Sequence, residues 1–215
     1  MPEATEGPVA PWLSSPWRRL VELAVVAPVL VVTAPVMAVV AAAVAAVMGR
    51  PVLFRQVRSG QGGRPIRIMK FRTMIDAVDP DGQPLPDHDR LVPLGRALRG
   101  TSLDELPQLW SVVTGDMSLI GPRPLPPAYD ERYSPAQARR LTVRPGLTGW
   151  AQVNGRNTIS WSDKFALDAW YVTHASWRVD LSIVARTVEL LLTRRGVRAE
   201  GHATMPEFMG PSASP

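Results

Sequence analysis

The chain of 215 residues contains no cysteine, which excludes disulfide bonds and thiolate metal sites. It also lacks charge over one long stretch: no charged residue occurs between Ala24 and Gly49, where valine and alanine predominate. This run is longer than the roughly 20 apolar residues that span a bilayer core, so it predicts a membrane segment. The chain as a whole is basic, with a net charge of +5, and this balance favours anionic partners.

The predicted membrane segment, residues 17–49, follows a stretch, 1–16, whose composition predicts disorder. Both ends of the segment carry arginine, and basic residues prefer the cytoplasmic side of a membrane. Proline interrupts the helix at Pro28 and Pro35, so a re-entrant helix that bends at Pro35 and returns to the same face satisfies both observations. A single straight pass stays open because membrane helices tolerate proline. A cleaved signal peptide is the third alternative, and the length of the run argues against it.

A β-hairpin is predicted directly after the membrane segment. Residues 52–57 and 66–72 read as strands, and the glycine-rich turn 59–63 separates them. Lys70 and Arg72 share one face of the second strand because strand side chains alternate. The two cations are either solvated edge charges or contacts for a phosphate group.

Residues 50–200 are predicted to form the globular domain, and residues 201–215 a tail without periodicity. Helices are predicted at 162–173 and 180–195. The second helix has an apolar stripe that is more typical of a core than of a membrane contact. The seven tryptophans of the chain nevertheless favour some contact with the membrane interface. We therefore expect an α+β fold, mostly helical with a small β-hairpin, with a re-entrant (monotopic) membrane helix and interfacial amphipathic helices.

Two adjacent carboxylates, Asp104 and Glu105, lie where a short helix is predicted to begin. One interpretation is structural, since Ser102 and Glu105 have the spacing of a capping box. The other is functional. Adjacent helical side chains do not face each other, so the two carboxylates suit different tasks on one ligand, such as attack on phosphorus and binding of a metal ion. Pro107 strains the turn beside them.

Three arginines are candidates for contact with a phosphate group. Arg99 is predicted to lie close to Asp104 on a short helix. Arg123 stands between two prolines that fix its backbone and lower the entropy cost of aiming its guanidinium. Arg156 lies in the glycine-rich region 144–157, where glycine would allow the backbone to approach a ligand closely.

Four segments then occur in an order typical of one family: 70–74 (KFRTM), 103–108 (LDELPQ), 115–124 (GDMSLIGPRP) and 144–156 (RPGLTGWAQVNGR). They resemble the bacterial sugar transferases, which are monotopic polyprenyl-phosphate hexose-1-phosphate (phosphoglycosyl) transferases. The resemblance covers roughly residues 16–210, and the single hydrophobic segment is similar to that of the small members that contain only the catalytic domain. The ending, 196–202, resembles members that act on diacetylbacillosamine.

This resemblance implies an enzyme that moves sugar-1-phosphate from a UDP-sugar to undecaprenyl phosphate and releases UMP. It implies Mg²⁺, a covalent phosphosugar-aspartate intermediate and, from the ending, an N-acetylated amino sugar such as diacetylbacillosamine. Asp104 matches the nucleophile and Glu105 the metal-binding carboxylate. The residues expected to bind substrate are Lys70, Arg72, Arg99, Arg123, Arg156 and Asp168.

The resemblance further implies that the catalytic domain lies on the cytoplasmic face of the bacterial inner membrane, in contact with lipid, and carries out the first membrane step of glycoconjugate assembly. No nucleic-acid partner is expected, and the sequence leaves the oligomeric state and the pathway open. The family breaks its membrane helix at a Ser-Pro pair; here the pair is Ala34-Pro35, with Thr33 as a candidate to stabilise the bend. The nearby cations are expected to keep Asp104 ionised. A non-catalytic scaffold and a transferase acting directly on glycans are the alternatives.

Overall fold

The structure is a computed structural model that describes residues 7–155, 159–193 and 207–210. Most of these residues are helical, and two small sheets complete the fold, which confirms the predicted α+β class. The α-helices are α1 (Pro16–Met48), α2 (Asp87–Arg90), α3 (Pro93–Thr101), α4 (Leu109–Thr114), α5 (Pro135–Ala138), α6 (Trp150–Asn154), α7 (Trp161–His174) and α8 (Trp177–Thr193). The strands are β1 (Leu53–Ser59), β2 (Pro65–Phe71), β3 (Ser118–Ile120) and β4 (Gly146–Thr148). Short 3-10 helices lie at Pro11–Ser14, Gln61–Gly63, Leu103–Gln108, Pro127–Arg132 and Arg139–Thr142.

Helix α1 is the predicted candidate membrane segment. It has 33 residues and, among the described parts of the chain, it is the one helix long and apolar enough to cross a membrane. The chain stays helical through Pro28 and Pro35 and does not unwind at the second proline. The Thr33 hydroxyl donates to the carbonyl oxygen of Val29 at 2.7 Å, a local bond of the kind that bends helices.

One side of α1 packs against the rest of the protein along most of its length. In the first half Val26 is fully buried against β2 and α4. In the second half Val40, Val44 and Met48 are buried around Phe71 of β2. The other side of the helix is exposed and consists largely of valine: Val25, Val29, Val32, Val36, Val39 and Val47. Both halves of α1 therefore rest on the same domain.

A buried ion pair fixes the N-terminal end of α1. The Nε of Arg18 donates to Oδ2 of Asp180 at 3.0 Å, and Asp180 also accepts from the Tyr171 hydroxyl and from Nε1 of Trp12. Residues 7–16 are consequently ordered, which corrects the composition-based expectation of disorder there. Composition alone does not reveal that the Trp12 indole finds an acceptor 168 positions along the chain.

The predicted hairpin is confirmed. Strands β1 and β2 pair antiparallel, with Phe54 opposite Lys70 and Arg58 opposite Ile66. Directly opposed residues of two paired strands lie on the same face of the sheet, so these four side chains share a face. Strand β2 packs against the 3-10 helix Leu103–Gln108, which carries the two adjacent carboxylates.

The glycines of the region 144–157 serve the packing of two chain segments, which corrects their interpretation as a close approach to a ligand. Strands β3 and β4 pair in parallel. A Cβ on Gly146 would lie 2.0 Å from the backbone nitrogen of Gly121, and one on Gly149 would lie 2.1 Å from the oxygen of Gly121. No larger residue fits at either position without moving the backbone.

The two C-terminal helices are present, but the apolar stripe of α8 does not form a core. Leu181, Val184, Val188 and Leu191 are all more than a third exposed. This corrects the core interpretation, and it leaves an apolar surface on α8 that periodicity alone could not assign. The predicted end of this helix at Arg194 to Gly196 lies outside the described residues.

Part of the predicted tail returns to the domain. Phe208 is 4% exposed and Arg132 donates to its carbonyl oxygen and to the Glu207 carboxylate. The Phe208 ring packs among four other aromatic rings, those of Tyr129, Tyr133, Trp161 and Phe165.

Candidate active site

The two adjacent carboxylates lie on the 3-10 helix between α3 and α4. Ser102 precedes them in the left-handed region, with φ 58° and ψ 16°, and its side chain makes no capping hydrogen bond. The capping box between Ser102 and Glu105 is therefore not formed, and the structural interpretation of the motif loses its basis. The turn at Ser102 redirects the chain so that Asp104 and Glu105 approach β2.

Asp104 is 7% exposed, and within the described part of the chain its carboxylate takes part in no hydrogen bond or ion pair. Burial, and then repulsion from Glu105, raises the pKa of Asp104 to about 6, and the opposite effect of Lys70, Arg99 and Arg123 is smaller. The cations favour the ionised form, as expected from the sequence, but they do not outweigh burial and Glu105. The carboxylate is still mostly ionised at pH 7, because that pH lies above its pKa.

Glu105 differs from its neighbour because it is paired. Its Oε1 accepts a short hydrogen bond from Nζ of Lys70 and one of 2.8 Å from Nη2 of Arg123. Burial would raise the pKa of Glu105, but these two cations outweigh burial and lower the pKa to about 2. The side chain is about a fifth exposed, and both described contacts fall on Oε1, so Oε2 is available to another ligand.

A fully buried ion pair between Arg140 and Asp168 fixes the backbone of Arg123. Arg140 donates from Nη2 to the backbone oxygen of Arg123, from Nε to Asp168 at 3.1 Å, and from Nη1 to the Tyr133 hydroxyl at 3.0 Å. Arg140 and Asp168 are 4% and 3% exposed. Burial raises the pKa of Asp168, and Arg140 opposes that rise. Asp168 thus contacts Arg140 rather than the carboxylates, and Arg140 links it to the backbone of Arg123.

The other arginines predicted from the sequence lie in different places in the structure. Arg99 lies close enough to lower the pKa of Asp104, and its Nε donates to the Thr73 hydroxyl at 3.0 Å. Arg72 points elsewhere: it donates to the carbonyl oxygen of Met48, at the C-terminal end of α1. Arg156 lies outside the described residues. The structure therefore brings together Asp104, Glu105, Lys70, Arg99 and Arg123, and places Arg72 and Asp168 around them.

Sequence reasoning misses two further cations, Arg58 on β1 and Lys164 on α7. The Nε of Arg58 is buried and has no partner among the residues that the structure describes, and burial followed by repulsion from Arg123 lowers the pKa of the side chain. Burial and the same repulsion lower the pKa of Lys164 to about 8. Strand alternation could have found Arg58, since it shares a hairpin face with Lys70, but no local signal marks Lys164. Cations outnumber the two carboxylates, which suits a ligand with more than one phosphate group.

The donor set suits Mg²⁺ that is shared with a substrate. No cluster of three or more carboxylate or histidine side chains that could hold a metal occurs in the ranges described. Magnesium is commonly bound by one or two carboxylates, with substrate phosphates and water supplying the remaining ligands. The Oε2 of Glu105, which has no partner among the described residues, fits that kind of site.

The fold and the site define a class: a helical domain that carries an apolar N-terminal helix and a cation-rich carboxylate site suited to phosphate chemistry. The sequence model of the family described as bacterial sugar transferase matches residues 13–194. Since that match covers most of the chain, the protein belongs to the bacterial sugar transferase family.

Individual relatives agree with this assignment. The chain is 51% identical over 163 residues to the uncharacterized sugar transferase EpsL of Bacillus subtilis, covering 76% of this chain and 81% of the relative. It is 49% identical over 154 residues to the UDP-glucose:undecaprenyl-phosphate glucose-1-phosphate transferase of Caulobacter vibrioides, covering 66% and 57%. It is 36% identical over 165 residues to the undecaprenyl-phosphate galactose phosphotransferase of Salmonella typhimurium, covering 69% and 35%. The matched region thus spans little more than half of the Caulobacter relative and about a third of the Salmonella relative.

Proposed function

We propose that the protein transfers sugar-1-phosphate from a UDP-sugar to undecaprenyl phosphate and releases UMP. Membership of the family and the names of the relatives from Caulobacter and Salmonella support this reaction. The observation that carries the proposal is the Asp104 carboxylate, which is nearly buried and unpartnered beside Lys70, Arg99 and Arg123. A carboxylate held in this way is suited to form a bond rather than to stabilise the fold.

The proposed reaction proceeds through a covalent phosphosugar-aspartate. An Oδ of Asp104 attacks the phosphorus that carries the sugar, and the bond from that phosphorus to the bridging oxygen of UMP breaks. UMP leaves with the electron pair as a phosphate anion, which Lys70 and Arg123 are placed to neutralise. An oxygen of undecaprenyl phosphate then attacks the same phosphorus and releases Asp104. Splitting one displacement into two is the usual role of a carboxylate nucleophile.

Glu105 is proposed to hold Mg²⁺ through its free Oε2. The metal ion, when bound, would add positive charge next to the diphosphate. The protein's own contribution is to hold Glu105 in one position through Lys70 and Arg123, which both donate to Oε1.

The membrane helix is proposed to be re-entrant, with the catalytic domain on the cytoplasmic face. The contacts of α1 support this, because Arg18 near one end and Met48 at the other are both buried against the same domain. A straight pass would place one end about 30 Å away, across the bilayer core. The exposed apolar stripe of α8 and the exposed Trp177 beside it are proposed to lie at the membrane surface.

The sugar is proposed to be an N-acetylated amino sugar such as diacetylbacillosamine. Support comes from the sequence of residues 196–202, which lie outside the described residues. Glucose and galactose, which appear in the names of the relatives, are the competing donors.

A UMP-release assay with a panel of UDP-sugars tests the proposal. Wild-type protein with Mg²⁺ and undecaprenyl phosphate should release UMP from at least one donor, and Asp104→Asn should release none. A panel without UMP release would favour a scaffold that has lost catalysis. Release of UDP instead of UMP would indicate direct transfer of the sugar to an acceptor.

A further inference from the structure

A cavity of about 550 Å³ opens beside the C-terminal end of α1. Its volume falls within the ~300–1,000 Å³ that is usual for small-molecule sites. Its lining combines apolar side chains with two arginines and one carboxylate: Pro51, Val52, Leu53, Phe54, Arg55, Arg72 and Asp76. Arg72 and Asp76 form an ion pair of 3.7 Å, which leaves Arg55 as the uncompensated charge among these residues. Phe54 is 49% exposed, an unusual environment for so large an apolar ring. An apolar wall with Arg55 beside it fits an anionic group attached to a hydrocarbon chain.

The cavity lies where the membrane helix ends. Arg72 donates to the carbonyl oxygens of Met48 and Pro51, so its guanidinium fixes the chain just after α1. The Nε of Arg72 is buried without a partner in the described part of the chain. Val47, in the last turn of α1, is exposed beside this end. The apolar surface of α1 therefore continues towards the lining of the cavity.

One residue that lines the cavity is also paired with a residue of the candidate active site. Phe54 lies directly opposite Lys70 across the hairpin, so the two side chains share a face. Arg72 follows the last residue of β2 and binds the chain just after α1. Lys70 in turn donates to Glu105. Phe54 is therefore the residue that joins the cavity to Lys70 and, through Lys70, to Glu105.

We propose that this acceptor cavity receives the phosphate and the first prenyl units of the polyprenyl phosphate acceptor. The inference rests on the proposed function and adds the route by which the second substrate reaches the phosphosugar-aspartate. Phe54 contacts the hydrocarbon, while Arg55 attracts the phosphate; Arg72 is already paired with Asp76 and shapes the cavity. The donor nucleotide does not use the cavity, so the two half-reactions should respond differently to changes in it.

The test measures the two half-reactions of Phe54→Ser separately. Its KM for undecaprenyl phosphate should rise about tenfold, the scale expected for loss of a partly buried aromatic contact. UMP release from UDP-sugar and Mg²⁺ before lipid is added should stay within about twofold of wild type. Val57→Ser is the matched control, because Val57 is 46% exposed on the same strand and does not line the cavity. Its KM for lipid should not change.

A second variant, Arg55→Gln, tests the electrostatic part of the proposal. It should raise the KM for undecaprenyl phosphate and weaken the dependence of that KM on salt. Sedimentation with phosphatidylglycerol vesicles should be the same for wild type, Phe54→Ser and Arg55→Gln.

Three results would overturn the acceptor cavity: an unchanged lipid KM in Phe54→Ser, an equal rise in Val57→Ser, or weaker vesicle binding that accounts for the rise. Weaker vesicle binding would indicate that this surface contacts the lipid bilayer in general and not the acceptor specifically. Failure of the proposed function is distinct from all three, since wild-type protein would then release no UMP at all.

Discussion

Asp168 and Arg140 are predicted to act on the reaction through Arg123, because Arg140 binds both the Asp168 carboxylate and the backbone oxygen of Arg123. Replacing Asp168 by Asn keeps the shape but removes the charge that compensates buried Arg140. Breaking a buried pair costs ~3–5 kcal/mol of stability, and Asn should lose less because its amide oxygen still accepts a hydrogen bond. We expect the weakened contact to let Arg140 shift, and Arg123, whose backbone oxygen Arg140 binds, to be displaced with it.

The size of the effect on rate follows from the role of Arg123. Removal of one well-placed electrostatic donor costs ~2–4 kcal/mol in the transition state, so Arg123→Ala should slow UMP release by roughly 30- to 1,000-fold. Asp168→Asn displaces Arg123 without deleting it, and we expect a loss of about tenfold. The assay is single-turnover UMP release at saturating UDP-sugar, with the melting temperature measured in parallel. Glu189→Gln, which removes an exposed charge from α8, is the control and should match wild type.

A double-mutant cycle decides whether Asp168 acts through Arg123. If it does, Asp168→Asn should slow Arg123→Ala little further, since the displaced group is already absent. Rate losses that add fully in the double variant would refute the reasoning and would mean that Asp168 affects the reaction by another route. A lower melting temperature with no change in rate would refute it equally.

Three further predictions concern the metal, the titration of Asp104 and the topology. Glu105→Gln should slow UMP release and raise the Mg²⁺ concentration needed for half-maximal rate; full activity with the wild-type metal response would make the metal assignment wrong. In metal-free protein, the carboxyl carbon resonance of Asp104 should titrate near pH 6, and a midpoint below 4 would contradict the dominance of burial. Because the folded state binds this proton more tightly than the unfolded state, Asp104→Asn should be more stable than wild type at pH 8, and the difference should vanish below pH 4. Single cysteines at Ser14 and Gln61, both exposed and in a chain without native cysteine, should be labelled from the same side of the membrane, whereas labelling from opposite sides would exclude the re-entrant helix.

Local patterns predicted the elements of this fold well. The charge-free run predicted α1, and strand alternation around a glycine turn predicted the hairpin, because both signals depend on neighbouring residues. The long-range partners of charged side chains were not predictable in this way. Arg72 binds the end of α1, and Asp168 binds Arg140, because tertiary packing brings them there.

For the two carboxylates, too, the sequence predicted the local feature but not the effect of distant residues. Their adjacency suggested different tasks, and the structure shows Glu105 paired with two cations and Asp104 without a partner in the described part of the chain. The direction of the Asp104 pKa shift was not predictable, since it depends on a competition between burial and three cations that the sequence does not rank. Arg58 and Lys164 join the site from elements whose approach to Arg123 only the folded chain determines.

The most direct test of the central claim is the mass of the protein after incubation with its UDP-sugar and Mg²⁺, without lipid. A phosphosugar-aspartate intermediate predicts the addition of one sugar-phosphate mass to a peptide that contains Asp104, together with an equivalent amount of UMP. The adduct should be absent from Asp104→Asn and should disappear from wild type when undecaprenyl phosphate is added. An unmodified peptide, with UMP formed only after the lipid is added, would contradict the account and would indicate direct displacement by the acceptor.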